Sequence, residues 1–186
     1  QLRPERDCMM EKRGGRRSYL EDFQKDVNGE YQYRGTMYRY EGRLPYGKLR
    51  LRLWLCCGFG AALVLAVNCL PGITANAPAY VTLPSMLGVL AACVAVWTLG
   101  RWSYHGQPLR EYVYEQTVTR LKVMMIGTAV CCAAAAAGQI IAVAQNGRNA
   151  SKLAGLAFWL AAAALEGCGS VRVKRTDYSP NLPENP

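Results

Sequence analysis

The chain has 186 residues, a formal net charge of +9 and a mean hydropathy of -0.02, values that by themselves fit one or two basic soluble domains. Their distribution excludes that reading: residues 53–70, 79–99 and 123–144 carry no charged side chain, and 153–171 carries only Glu166. Each block matches the ~20 residues an α-helix needs to cross ~30 Å of hydrocarbon, and a soluble core seldom holds four such helices in so short a chain.

Residues 1–52 form a basic, tyrosine-rich N-terminal arm. The first nine residues have no pattern that would help a fold, and Met10 ahead of a basic stretch is the better natural start. The first apolar run begins at Leu53, too far along for the apolar core of a signal peptide. Ser18 to Glu21 matches a capping box and Asn28-Gly29 a stop, which predicts a short helix from Tyr19 to Val27. Its narrow apolar face of Tyr19, Phe23 and Val27 would lie on the inner leaflet behind Lys12, Arg13, Arg16 and Arg17, although so short a helix is marginal in water. From Glu30 to Tyr40 the period becomes two, with Tyr31, Tyr33, Tyr38 and Tyr40 around Gly35. That pattern fits a tight hairpin with a tyrosine face, or an extended segment with its rings in the headgroup belt. Aromatics interleaved with Arg also describe a nucleic-acid stacking platform, but Lys48, Arg50 and Arg52 lead straight into the first span and favour the membrane interface.

Residues 53–99 follow as a first transmembrane hairpin, 100–122 as a cytoplasmic loop, 123–171 as a second hairpin and 172–186 as a cytoplasmic tail. Pro108 can open a helix that runs over 109–144, whose first three turns stand clear of the bilayer and present Arg110, Glu111, Glu115, Thr119 and Lys122. Of 22 Lys and Arg, 13 fall in residues 1–52, four in 101–122 and three after Val171, against two in 145–152 and none in 71–78. The positive-inside rule then puts both termini and the middle loop in the cytoplasm of a cell-membrane protein. An arm with eight acids among its bases suits anionic lipid headgroups better than nucleic acid, which is not expected as a partner.

The two hairpins read as tandem copies. Tyr38, Tyr40 and Glu41 recur 74 positions later as Tyr112, Tyr114 and Glu115. Cys56, Cys57 and Cys93 recur 75 positions later as Cys131, Cys132 and Cys168, and Pro71-Gly72 recurs as Asn146-Gly147. Fixed-offset similarity marks a duplicated unit, here one of two spans, related to its copy by an axis near the membrane normal.

Seven of the eight cysteines lie in the spans and Cys8 lies in the arm, so oxidative cross-linking is not expected, and no Cys-x-x-Cys or Cys/His cluster indicates zinc. The vicinal pairs Cys56-Cys57 and Cys131-Cys132 are candidate metal ligands, because paired thiolates hold soft ions such as Cu(I) or Hg(II). Adjacent helical residues diverge by about 100°, so one pair needs the other, or Cys93 or Cys168, to close on an ion. In the plainer reading these cysteines pack as small apolar residues, like the alanines beside them. Glu166, the one acid inside a span, is a functional-site candidate for a proton or cation; it lies ~9 Å from Arg172 along the helix and can pair with Arg172 or Lys174, or reach the interface. Asn68 and Gln139 read as interhelical hydrogen-bond partners, and the dense Gly and Ala as close-packing residues. The one histidine, His105, has no nucleophile in a recognisable context, and Asn149-Ala150-Ser151 is a glycosylation sequon hard against two membrane ends. No phosphate loop, dinucleotide fingerprint, metalloprotease or kinase signature occurs, so neither a cofactor nor a catalytic residue is expected.

The expectation is therefore an all-α, four-helix membrane protein built as two tandem-repeat hairpins. Its function is read as that of a non-enzymatic scaffold or accessory subunit with a cytoplasmic docking face for a protein partner. The alternative is a small membrane transporter for a soft metal ion or other small solute, dimeric because four spans enclose a pathway only narrowly, that uses the repeat-related cysteines or Glu166.

Overall fold

The computed structural model describes residues 23–25, 31–33, 36–70, 73, 77–147, 149–174, 176 and 178–181. It has four helices long and apolar enough to cross a membrane: α1 (Tyr46–Cys69), α2 (Ala79–His105), α3 (Glu111–Gln145) and α4 (Ala150–Lys174). Helix α1 starts at Pro45, whose fixed φ of -59° suits the N-cap and whose carbonyl accepts from Lys48 N at 2.9 Å. It therefore begins about two turns before the charge-free block, so Lys48, Arg50 and Arg52 are helical. Helices α2 and α3 are each followed by a glycine at positive φ, Gly106 at 65° and Gly147 at 78°, where a side chain would be strained. Two stretches widen to π geometry: Trp54–Gly58 in α1 and Glu115–Thr119 in α3. The first contains Cys56-Cys57, whereas the second precedes Cys131-Cys132 by about three turns, so these irregularities do not follow the 75-residue offset.

Short connections make consecutive helices antiparallel neighbours, and α4 closes the bundle against α1. Helix α3 packs extensively on both α2 and α4, while the seam between α1 and α2 is much the thinnest. Small residues in the interior, among them Gly60, Ala92, Ala95, Ala135, Ala136 and Ala162, let the backbones approach between larger buried side chains such as Leu99, Trp102 and Trp159. The outer faces carry Leu55, Phe59, Leu83, Leu87, Leu90, Trp97, Val130 and Leu160, all exposed. Four helices this long and apolar suggest a multi-pass membrane protein.

Two small antiparallel sheets accompany the helices. Strand β1 (Phe23–Lys25) pairs with β2 (Tyr31–Tyr33), Phe23 opposite Tyr33. The helix expected from Tyr19 to Val27 is thus replaced at its centre by strand. Nine residues make too few helical bonds to offset nucleation, and the period of two at Tyr31 and Tyr33 supplies a ladder partner. The rest of that segment, with Ser18, Glu21 and the basic residues before it, lies outside the described residues. The second sheet has β3 (Met37–Tyr40) at its centre, flanked by β4 (Leu109–Arg110) and β5 (Tyr178–Asn181). Met37 stands opposite Arg110 and Asn181, and Tyr38 opposite Leu109 and Pro180. A hairpin about Gly35 would have paired β3 with β2; β3 instead joins the arm to the segment between α2 and α3 and to the tail. The all-α expectation is amended accordingly: a mostly helical chain in which three distant segments are bound at one end of the bundle.

Candidate functional site

On α4 the spacing of Trp159, Ala162, Glu166, Gly169 and Val173 places all five on one face, and all five are buried. That face puts the Glu166 side chain inside the bundle, fully enclosed. Gly60 of α1 makes room for it, since a Cβ at position 60 would lie 2.8 Å from Glu166 Oε1. Neither carboxyl oxygen has a hydrogen-bond partner among the described residues. Pairing with Arg172 does not occur. Six residues along a helix turn through about 240°, which carries Arg172 to another face, where its Nη1 donates to Cys56 Sγ at 3.2 Å.

The buried apolar residues form two clusters. One, toward the sheet, contains Cys56, Cys57, Leu99, Trp102 and Met125; the other contains Val64, Val67, Cys132, Ala136 and Trp159. Cys57 and Cys132, both fully buried, lie within electrostatic range of the Glu166 carboxyl, which therefore sits where the two clusters meet. Cys131 is only half-buried and faces Gly88, while Cys69, Cys93 and Cys168 are exposed on the outer faces. Among the described residues no three His, Cys, Asp or Glu side chains are arranged to hold a metal ion. The four thiols of the vicinal pairs form no such group. Among the other interior polar groups, Ser85 Oγ donates to Asn68 Oδ1 at 3.0 Å across α1 and α2 and Thr128 Oγ1 donates to Met124 O at 2.9 Å, whereas the buried Trp159 Nε1 has no hydrogen-bond partner among the described residues. Gln139 is buried.

At the sheet end the rings of both Tyr-x-Tyr-Glu boxes meet. Tyr38 stacks on Tyr114 with centroids 4.4 Å apart, and Tyr178 meets Tyr114 and Tyr40 edge-on at 5.1 and 5.7 Å. Trp102 of α2 packs on Tyr46 of α1 at 5.1 Å and donates its Nε1–H to the Tyr178 hydroxyl at 3.2 Å. Burial pushes the Tyr178 hydroxyl above its ordinary value, against a smaller lowering by the Trp102 bond. Tyr38 is also raised, first by burial and then by the negative charges of Glu111 and Glu115 with Tyr114 between them in effect. Both phenols consequently remain neutral donors or acceptors through the physiological range. Around this aromatic cap Arg39, Arg43, Lys48, Arg50, Arg52, Arg120 and Lys174 are exposed, as are Tyr104 and Tyr112. His105 is exposed and lies edge-on to the Tyr104 ring.

Sequence reasoning singled out the tyrosine boxes but not Tyr178, whose four-residue strand has no repeat or period to mark it. It also missed that the boxes stack on one another. The chain matches no known family model, no curated protein and no solved structure.

Proposed function

We propose that the chain is a four-pass cell-membrane protein with both termini and the segment between α2 and α3 in the cytoplasm. In this reading it works as a non-enzymatic scaffold or accessory subunit, built as two tandem-repeat hairpins. The observation that carries it is the three-stranded sheet: residues 37–40, 109–110 and 178–181 are held together over one end of the bundle. Binding those segments to each other produces a fixed basic and aromatic face at the end where positive-inside asymmetry places the cytosol. Such a face fits a protein partner with acidic and apolar contact residues, and its rim fits anionic headgroups. A photo-crosslinking side chain placed at Tyr112, which is 40% exposed, tests this in cells. A discrete protein adduct that disappears when residues 178–181 are deleted is expected; an unchanged adduct pattern, or none, overturns it.

The second reading, a small proton- or cation-coupled transporter, is favoured by one observation, the fully buried carboxyl of Glu166 without a hydrogen-bond partner among the described residues. Its measurement is solute or proton flux in proteoliposomes. Flux that Glu166→Gln abolishes would replace the scaffold reading with this one.

A further inference from the structure

Where α1 and α2 stand apart, small residues leave a groove of about 560 Å³ whose walls are almost wholly apolar. Ala61 and Leu65 of α1 face Ala92 and Trp97 of α2 along it, and Arg101 and Tyr104 stand at the end nearer the sheet. Gly100 adds to the opening, for a Cβ there would meet nothing within 4 Å. The mouth is held in place on both sides. Trp54 Nε1 donates to Ser103 Oγ at 3.0 Å and ties α1 to α2, and Arg101 Nη1 donates to Gln116 Oε1 at 3.1 Å, which fixes a guanidinium that has further N–H groups to offer. The α1 wall adjoins the π turn Trp54–Gly58, a kind of irregularity often found at functional sites.

Length and charge identify an occupant. From Ala92 to Arg101 the helix rises ~13.5 Å, close to half of a ~30 Å hydrocarbon core and so to the reach of an acyl chain from one leaflet. An apolar trough of that length ending in a fixed cation and a phenol matches a molecule with a long hydrocarbon tail and a negative head. We propose that this groove binds an anionic phospholipid, with one acyl chain between α1 and α2 and its phosphate on Arg101. The site is distinct from the diffuse attraction of headgroups to the basic arm, because it selects by shape as well as by charge. It rests on the membrane reading of the four helices, which resistance of the protein to alkaline extraction from membranes tests separately.

The test is native mass spectrometry of the full chain released from vesicles of equal phosphatidylglycerol and phosphatidylcholine. The parent is expected to retain phosphatidylglycerol over phosphatidylcholine by about five-fold, the scale of one basic side chain at a membrane surface. Arg101→Gln should bring the ratio near one, and Arg101→Lys should keep most of it. Gly100→Leu, at a position open enough to leave the fold intact, should reduce retention of both lipids, whereas Arg120→Gln should change neither. Equal retention of the two lipids by the parent, a preference that survives Arg101→Gln, or a second copy of the chain in place of lipid would each overturn the proposal.

Discussion

Tyr38 lies almost flat on Tyr114, ring planes 10° apart and centroids 4.4 Å apart, so that a residue from the first Tyr-x-Tyr-Glu box is clasped by one from the second. Offset stacking of this kind contributes about 1 kcal/mol beyond the area it buries. A double-mutant cycle of Tyr38→Leu and Tyr114→Leu, read by thermal unfolding in detergent, should return a coupling of that size. Tyr112→Leu, at an exposed ring, should show little coupling to Tyr38→Leu.

Alkaline pH should loosen the same cap. The Tyr38 and Tyr178 hydroxyls are raised from 10.0 in the folded chain, so their contribution is fully present below pH 10.0 and is lost as pH climbs through the raised folded values. Tyrosinate absorbance of the folded protein should show late-titrating phenols that include Tyr38 and Tyr178, and in Trp102→Phe the Tyr178 step should move higher still, because the bond that lowers it is gone. Titration of every tyrosine together near its ordinary value would contradict the burial described.

Gly60 should be intolerant of any side chain for a reason that can be isolated. Gly60→Ala sets a Cβ against the Glu166 carboxyl and should destabilise the bundle by about 1–3 kcal/mol. Pairing it with Glu166→Ala should recover most of that loss, while Gly127→Ala, where a Cβ meets nothing within 4 Å, should be close to neutral. Additive losses in the Gly60/Glu166 double variant would mean that the two do not touch.

Single cysteines in a background without the native thiols report orientation. A cysteine at Asn149 should react with an impermeant reagent applied to intact cells, and one at Ser179 should react only after permeabilisation. The reverse pattern would invert the assigned topology and with it the cytoplasmic placement of the sheet.

Replacing Cys56, Cys57, Cys131 and Cys132 together by Ala should cost at most about 3 kcal/mol and leave cellular function intact, because side chains of similar size preserve close packing. The parent should likewise show no stoichiometric Cu(I) or Hg(II) binding in detergent. Tight saturable uptake that the quadruple variant abolishes would restore the thiols as a metal site and favour the transporter.

The four long helices and their approximate ends were legible in the sequence, since length and apolar composition are local properties read directly from residues 53–70, 79–99, 123–144 and 153–171. So was Glu166 as the odd residue in its span, and so was the Asn68 bond, because a polar side chain in an apolar run must find a partner nearby. Rotation of each helix about its axis is not a local property. Whether Glu166 faced Arg172, the interface or the interior depended on which stripe of α4 met Gly60 and Cys132, and packing of small residues decided for the interior. The short strands were less legible again: β3 gains partners from residues 109–110 and 178–181, far along the chain, and β-pairing energy exists only once those edges are brought side by side. The sequence alone thus determined that four apolar helices form and that positive charge gathers at one end. Tertiary structure decided that Tyr38, Tyr114 and Tyr178 share a cap, that Cys132 is fully buried while Cys131 is only half so, and that α1 and α2 leave a groove, because each of these is a matter of relative placement between elements.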